Sequence, residues 1–260
     1  LVHSVLAVTP GERRVLGLAH QRPFLRRPAP AGETRTERHR HPKESDCWAQ
    51  AAAAVGPAPA TSRWVHVGDA DSDIFTFLAT CRGLGCHFLV RACQNRRLDE
   101  ASDPQTAHLL DRARTLPAVG SRALLVRERG GRPARLADLR VAAGPVLLSV
   151  PLPKGGRAPV PCWVVRVWEP APPEDAEPLE WVLLTSVPTE TVADAWERAD
   201  WYTCRWVVED YHMGLKTGCR LEQRHLHTAD RLWRLLGFLA PVAVCLLQLR
   251  QAARQDPDRP

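Results

Sequence analysis

The sequence predicts an α/β core interrupted by a β-rich module. Three observations carry that prediction. Short apolar, β-branched runs alternate with helical patterns up to about residue 97. From residue 98 to 186 the pattern changes to short strand candidates separated by Gly and Pro clusters. From about residue 189 long helical patterns return.

Taken in order, LVHSVLAVT (1–9) and RVLGLAH (14–20) alternate apolar and polar residues around a PGE turn, which predicts a hairpin. Residues 26–42, rich in Arg, Pro, Thr and His, read as a loop. KESDCWAQAAAAVG reads as a helix stopped by Gly56. RWVHVGD (63–69) is a short strand that ends in a carboxylate. DSDIFTFLATCRGLG reads as a helix, with Asp71 or Ser72 near its cap and Gly83 or Gly85 at its end. HFLVRAC (87–93) is a buried strand. ALLVRE, ARLADLRVA, VLLSVPL, PCWVVRVWE and EWVLLTS are separate short strands of the 98–186 module. One helix is expected from about 189 to Gly218 and another over about 228–253, followed by a polar tail. The run LLGFLAPVAVCLLQL (235–249) is too short to span a bilayer comfortably and is interrupted by Pro241. It reads as a buried core helix, and no membrane partner is expected.

The 260 residues are 45% hydrophobic, enough for a sizeable core in one large domain or two modest ones. The net charge of +6 favours acidic partners, nucleic acid foremost. Lysine occurs only at Lys43, Lys154 and Lys216, so arginine supplies most of the cations, as planar forks suited to phosphate. Eight cysteines form no CxxC pair, and no secretory signal is visible. Free, mostly buried thiols in a reducing cytosol are expected. Cys81, Cys86, His87 and Cys93 cluster but fit no usual zinc spacing.

Asp69 sits where a hydrophobic strand ends, the position at which ligands gather in α/β sheets. The alternative for it is a helix N-cap, with Asp71 and Asp73 as competing caps or solvated acids. On the predicted helix, Glu209 and Lys216 fall within about 40° of Tyr202, and Arg205 within about 60°. That stripe is either a solvated face with weak ion pairs or a working surface. Asp69 and Glu209 are acids that could hold divalent metal from a strand end and a helix. Arg91, Arg205 and Lys216 would then be placed to hold phosphates.

Tyr202, Arg205, Glu209 and Lys216 together meet the pattern Y-x2-R-x3-E-x6-K. The chain resembles the bacterial insertion-sequence group of DDE transposases that carries this signature, the insertion-sequence-four-like group typified by the transposon-five transposase. The blocks LVHSVLAVTPGERRVLGLAHQ, KESDCWAQAAAA, VGDADSDIFTFL, HFLVRACQNRR, EWVLLTSVPTE and YTCRWVVEDYHMGLKTGCRLEQRHL resemble successive blocks of that group in the same order, over residues 1 to about 252.

The resemblance implies a ribonuclease-H-like core with an all-β insertion, 98–186, between the second and third catalytic acids. It implies cut-and-paste DNA transposition with Mg²⁺ or Mn²⁺ and three carboxylates. Asp69 matches the second acid and Glu209 the third, both as metal ligands. Tyr202, Arg205 and Lys216 match residues that grip DNA near the cleaved end, and Arg91 matches a basic residue of the DNA-facing strand. Arg96 joins them as a DNA-binding candidate. Trp181 resembles the family tryptophan on which a flipped base stacks, with a core aromatic as the alternative. The implied partner is double-stranded DNA, both transposon ends and target, bound by a homodimer.

The chain also departs from the group. The first acid, an Asp followed by two threonines, belongs to a strand upstream of Leu1, so the core is expected to lack its first strand. Leading DNA-binding and trailing dimerisation regions are expected to be missing as well. Ala70 and Asp71 stand where the group has Arg then Glu, and Cys93 and Met213 stand at positions that are often basic. Two readings follow: a catalytic core inactive alone for want of the first acid, or a degenerate DNA-binding remnant.

Overall fold

The computed structural model describes residues 1–25, 30, 32–34, 41, 43–99, 104–126, 128, 133–151, 155–174, 176–224, 226 and 228–255. Most of the predicted loop 26–42, Lys154 and the last residues of the tail lie outside them. The chain divides into two units, Leu1–Gly56 with Thr203–Pro260, and Pro57–Tyr202.

The terminal unit opens with β1 (Val2–Thr9) and β2 (Arg14–Pro23), antiparallel from Val2↔Pro23 to Thr9↔Arg14. This is the hairpin expected from the alternation. Helix α1 (Asp46–Val55) stops at Gly56, whose φ of 83° needs a residue without a side chain.

The single helix expected from 189 to Gly218 is instead three pieces. They are α4 (Val192–Thr203), α5 (Trp206–Met213) and a wide turn over Gly214–Gly218. Thr203 and Cys204 are weak helix formers. There the backbone tightens, with Val207 N–H donating to the Cys204 carbonyl at 3.0 Å and Val208 N–H to that of Arg205 at 3.2 Å.

Helix α6 (Ala229–Gln255) runs through Pro241 rather than stopping there. It is long and apolar enough to cross a membrane, judged by length and composition. One stripe of it, Leu236, Ala240, Ala243 and Leu247, packs with Val15, Val207, Tyr211 and Leu215 in the core of this unit. The opposite side leaves Phe238, Val242, Leu246 and Leu249 exposed, so the run is a core helix on one face only.

The central unit is built on one six-stranded mixed sheet in the order β3-β4-β8-β7-β6-β5. These strands are β3 (Val65–Gly68), β4 (His87–Arg91), β5 (Gly120–Val126), β6 (Arg135–Pro151), β7 (Arg157–Trp168) and β8 (Glu180–Thr185). Among the described residues only β3 and β4 are parallel. Helix α2 (Phe75–Gly83) lies between them in sequence, giving a βαβ unit.

The 98–186 segment is not all β. It contains α3 (Leu109–Thr115), which buries Leu109 and Ala113, one turn apart. Its strands are not a separate module either, because β8 pairs with β4. The runs ARLADLRVA and VLLSVPL form one strand, β6, in which Gly144 and Pro145 are ladder residues rather than a turn. Strand β5 reaches only to Val141, so on that side the missing N–H of Pro145 interrupts no ladder. The core of this unit gathers Leu89, Leu139, Val141, Val165, Leu183, Ala199 and Tyr202. Tyr202, on α4, thereby packs against the sheet.

Candidate carboxylate and DNA-contact residues

β3 pairs with β4 through Gly68↔Val90, so Asp69 follows at the carboxyl end of the one parallel pair. Its backbone is extended, and its Oδ1 accepts from the Asp71 N–H at 3.0 Å. Its carbonyl accepts from the Ser72 hydroxyl at 2.6 Å. Asp69 is therefore the cap of a short turn, Ala70–Ser72. The second oxygen, Oδ2, has no hydrogen-bond partner among the described residues. Capping and ligand binding are thus compatible in this one side chain.

Asp73, read from sequence as a cap or a solvated acid, is neither. Its carboxylate is fully buried. Oδ2 accepts from the Cys93 N–H at 3.0 Å and the Gln94 N–H at 2.9 Å. Oδ1 accepts from Arg96 Nε at 3.0 Å and Nη2 at 2.6 Å. The Arg96 guanidinium also lies 4.0 Å from the Phe75 ring centroid. A carboxylate this deep has to be paired. Arg96 is therefore a fastener between the turn after Asp69 and the loop after β4, and its fork is already occupied.

Arg91 is exposed at the end of β4, with Nη2 3.4 Å from the Glu180 carbonyl. Trp181 is half-buried on β8, and its ring centroid lies 6.0 Å from that of Tyr202. Tyr202 itself is buried. Trp181 and Tyr202 pack together in the central unit; the sequence had left the stripe of Tyr202 as either a solvated face or a working surface.

In the terminal unit, Arg205 Nη1 donates to Glu209 Oε1 at 2.9 Å, and its guanidinium lies 4.3 Å from the centroid of the half-exposed Trp206. The Glu209 side chain is 54% exposed. Lys216 faces Glu222 at 3.6 Å on the surface. The Arg205–Glu209 pair forms one local cluster, and Lys216 belongs to another.

Sequence reasoning missed a polar network that fastens α5 to the hairpin. Gln21 Nε2 donates to the Tyr211 hydroxyl at 2.7 Å and to Ser4 Oγ at 3.1 Å. His212 Nε2 lies 3.1 Å from the same Ser4 hydroxyl. Burial pushes His212 below the usual histidine range, against the pull of Glu209. Burial, then His20 and His212, push His3 down to about 4. The only sequence signal was the polar inward positions of an otherwise apolar hairpin.

Among the described residues no three His, Cys, Asp or Glu side chains gather as a metal site. Asp69 Oδ2 and the exposed Glu209 carboxylate are hard oxygen donors of the kind Mg²⁺ and Mn²⁺ take. Asp69 belongs to the central unit and Glu209 to the terminal unit, and each fits such a metal by donor type alone.

Residues 42–245 match the family described as the transposase DDE domain, and the chain belongs to that family. Its mixed α/β sheet is consistent with that domain, and membership points to the catalytic core of transposases, a family that acts on DNA and generally depends on divalent metal.

Proposed function

We propose that the chain is the catalytic core of a cut-and-paste transposase of the insertion-sequence group with the Y-x2-R-x3-E-x6-K signature. The observation that carries this reading is Asp69, which ends the parallel strand with one carboxylate oxygen held and the other open. Asp69 and Glu209 serve as two of three metal-ligating carboxylates. Bound divalent metal would supply Lewis acidity to the attacking and leaving oxygens of an in-line displacement at phosphorus. The turn at Asp69, clamped through Asp73 and Arg96, fixes where its free oxygen points. Arg205 holds the Glu209 carboxylate until ligands replace it. Arg91 and Lys216 neutralise phosphates, and Tyr202 and Trp181, packed on each other, brace the central unit.

The resemblance assigns the remaining acid to an Asp-Thr-Thr strand, a sequence the 260 residues do not contain. Among the described residues β3 pairs on one side only, and its other edge is where that strand would add. In this reading the core is ribonuclease-H-like, and these residues alone bind metal poorly. In this reading the working form is a DNA-bound homodimer in the bacterial cytoplasm.

The test is cleavage of transposon-end DNA in Mg²⁺ or Mn²⁺ by the 260-residue chain and by a version extended upstream through an Asp-Thr-Thr strand. The short chain is expected to be silent. The extended one is expected to cut, and to lose cutting by orders of magnitude in Asp69→Asn and in Glu209→Gln. Cleavage indifferent to both substitutions would overturn the assignment. DNA binding by the extended chain without any cleavage would instead favour the degenerate DNA-binding remnant.

A further inference from the structure

The packed face of α6 is not its only apolar stripe. Phe238, Val242, Cys245, Leu249 and Ala252 follow one another at steps of four, three, four and three residues. At roughly 100° per residue, all five fall within about 40° of Phe238. The packed residues Leu236, Ala240, Ala243 and Leu247 lie on the far side of the helix, about 140–200° away. Every residue of the second stripe is exposed, Phe238 to 77% and Leu249 to 66%.

Three features say what would cover this stripe. The alternating steps are the heptad spacing by which one helix seats its side chains between those of another. A small ligand or an extended peptide needs no such repeat. No charged residue occurs from Leu235 to Leu249, so two copies can close on each other there without opposing like charges. Phe238, Val242, Leu246 and Leu249 together expose on the order of 500 Å² in one copy, so two copies offer about 1,000 Å², the size at which specific interfaces begin. A bilayer is a poorer match. The other face of α6 is packed with Val15, Val207 and Tyr211, and a spanning helix would have to abandon that core.

We propose that α6 is a self-association helix, and that its stripe from Phe238 to Ala252 packs against the same stripe of a second copy of this chain. An interface of this kind uses one self-complementary patch twice, across a two-fold axis. The proposal rests on the homodimer of the reading above and places a contact of that dimer on named residues of these 260. The area is modest, so the dimer is reversible and depends on concentration.

The test is sedimentation of the 260-residue chain over a concentration series, with and without duplex DNA, together with a short bismaleimide cross-linker. The wild type is expected to approach dimer mass as concentration rises, and Cys245 to link to its counterpart in the second copy. Cys245→Ser should lose the linked species and still dimerise. Leu249→Glu, at an exposed position, is expected to weaken self-association about tenfold or more with the melting temperature unchanged. A dimer that Leu249→Glu leaves intact, and in which Cys245 does not link, would overturn this seam and leave the homodimer reading standing. A chain that stays monomeric at every concentration, on DNA and off it, would overturn both. Binding of the wild type to phosphatidylcholine vesicles in place of self-association would overturn the proposal in favour of a lipid surface.

Discussion

The Arg96 guanidinium and the Asp73 carboxylate form a buried, two-pronged pair that joins the turn behind Asp69 to the loop behind β4. Two backbone N–H groups, from Cys93 and Gln94, complete the coordination of Asp73. Arg96→Ala leaves that carboxylate buried and uncompensated, at a cost of about 3–5 kcal/mol. Urea unfolding of wild type and variant measures it. A loss under about 0.5 kcal/mol, typical of an exposed surface residue, would show that Arg96 is not a fastener.

Tyr202 separates the structural and the surface readings of the signature. It is buried against Trp181 and the central sheet. Tyr202→Ala is expected to destabilise by about 3–5 kcal/mol, as aromatic truncation in a core does. If the melting temperature were unchanged while DNA affinity dropped, the side chain would be a surface contact after all.

Gly120 has no room for a methyl group. A Cβ there would stand 2.6 Å from Val192 Cγ1, at the start of α4. Gly120→Ala should therefore force a shift worth about 1–3 kcal/mol, seen as a lower denaturation midpoint. Val192→Ala in the same background should recover part of it.

The hairpin makes stability depend on pH in a defined direction. His3 has a folded pKa lowered to about 4 from an ordinary 6.5. As pH falls below 6.5 the unfolded chain takes up a proton that the folded chain refuses. The stability owed to neutral His3 is complete above 6.5 and is lost between 6.5 and 4. His212, also lowered by burial, acts in the same direction. The urea midpoint is expected to fall from pH 7.5 to pH 5, and His3→Asn should flatten that slope.

What could be read from the sequence was local. The alternation in residues 1–9 and 14–20 gave the hairpin, Gly56 ended α1, and RWVHVGD gave β3 with its terminal acid, because each signal lies within one element. The misreadings involve competition between neighbours or distant pairing. Tyr202, Arg205, Glu209 and Lys216 keep helical spacing in sequence, but the tightening at Cys204 and Arg205 breaks the shared stripe. Gly144 and Pro145 look like a turn until β7 pairs through them. Asp73 looks solvated because its partner, Arg96, is 23 residues away in the chain. No periodicity encodes that pairing.

The division of the chain also sets an order of events during synthesis. The unit spanning 57–202 is contiguous, whereas the β1–β2 hairpin is completed by α6, where Gln251 Oε1 accepts from the Val15 N–H at 3.0 Å across 236 positions. A ribosome thus finishes the middle of the protein while the hairpin, made first, still waits for its cover. Nascent chains stalled before residue 229 would carry that hairpin with its apolar side bare, a ready target for holdases and proteases.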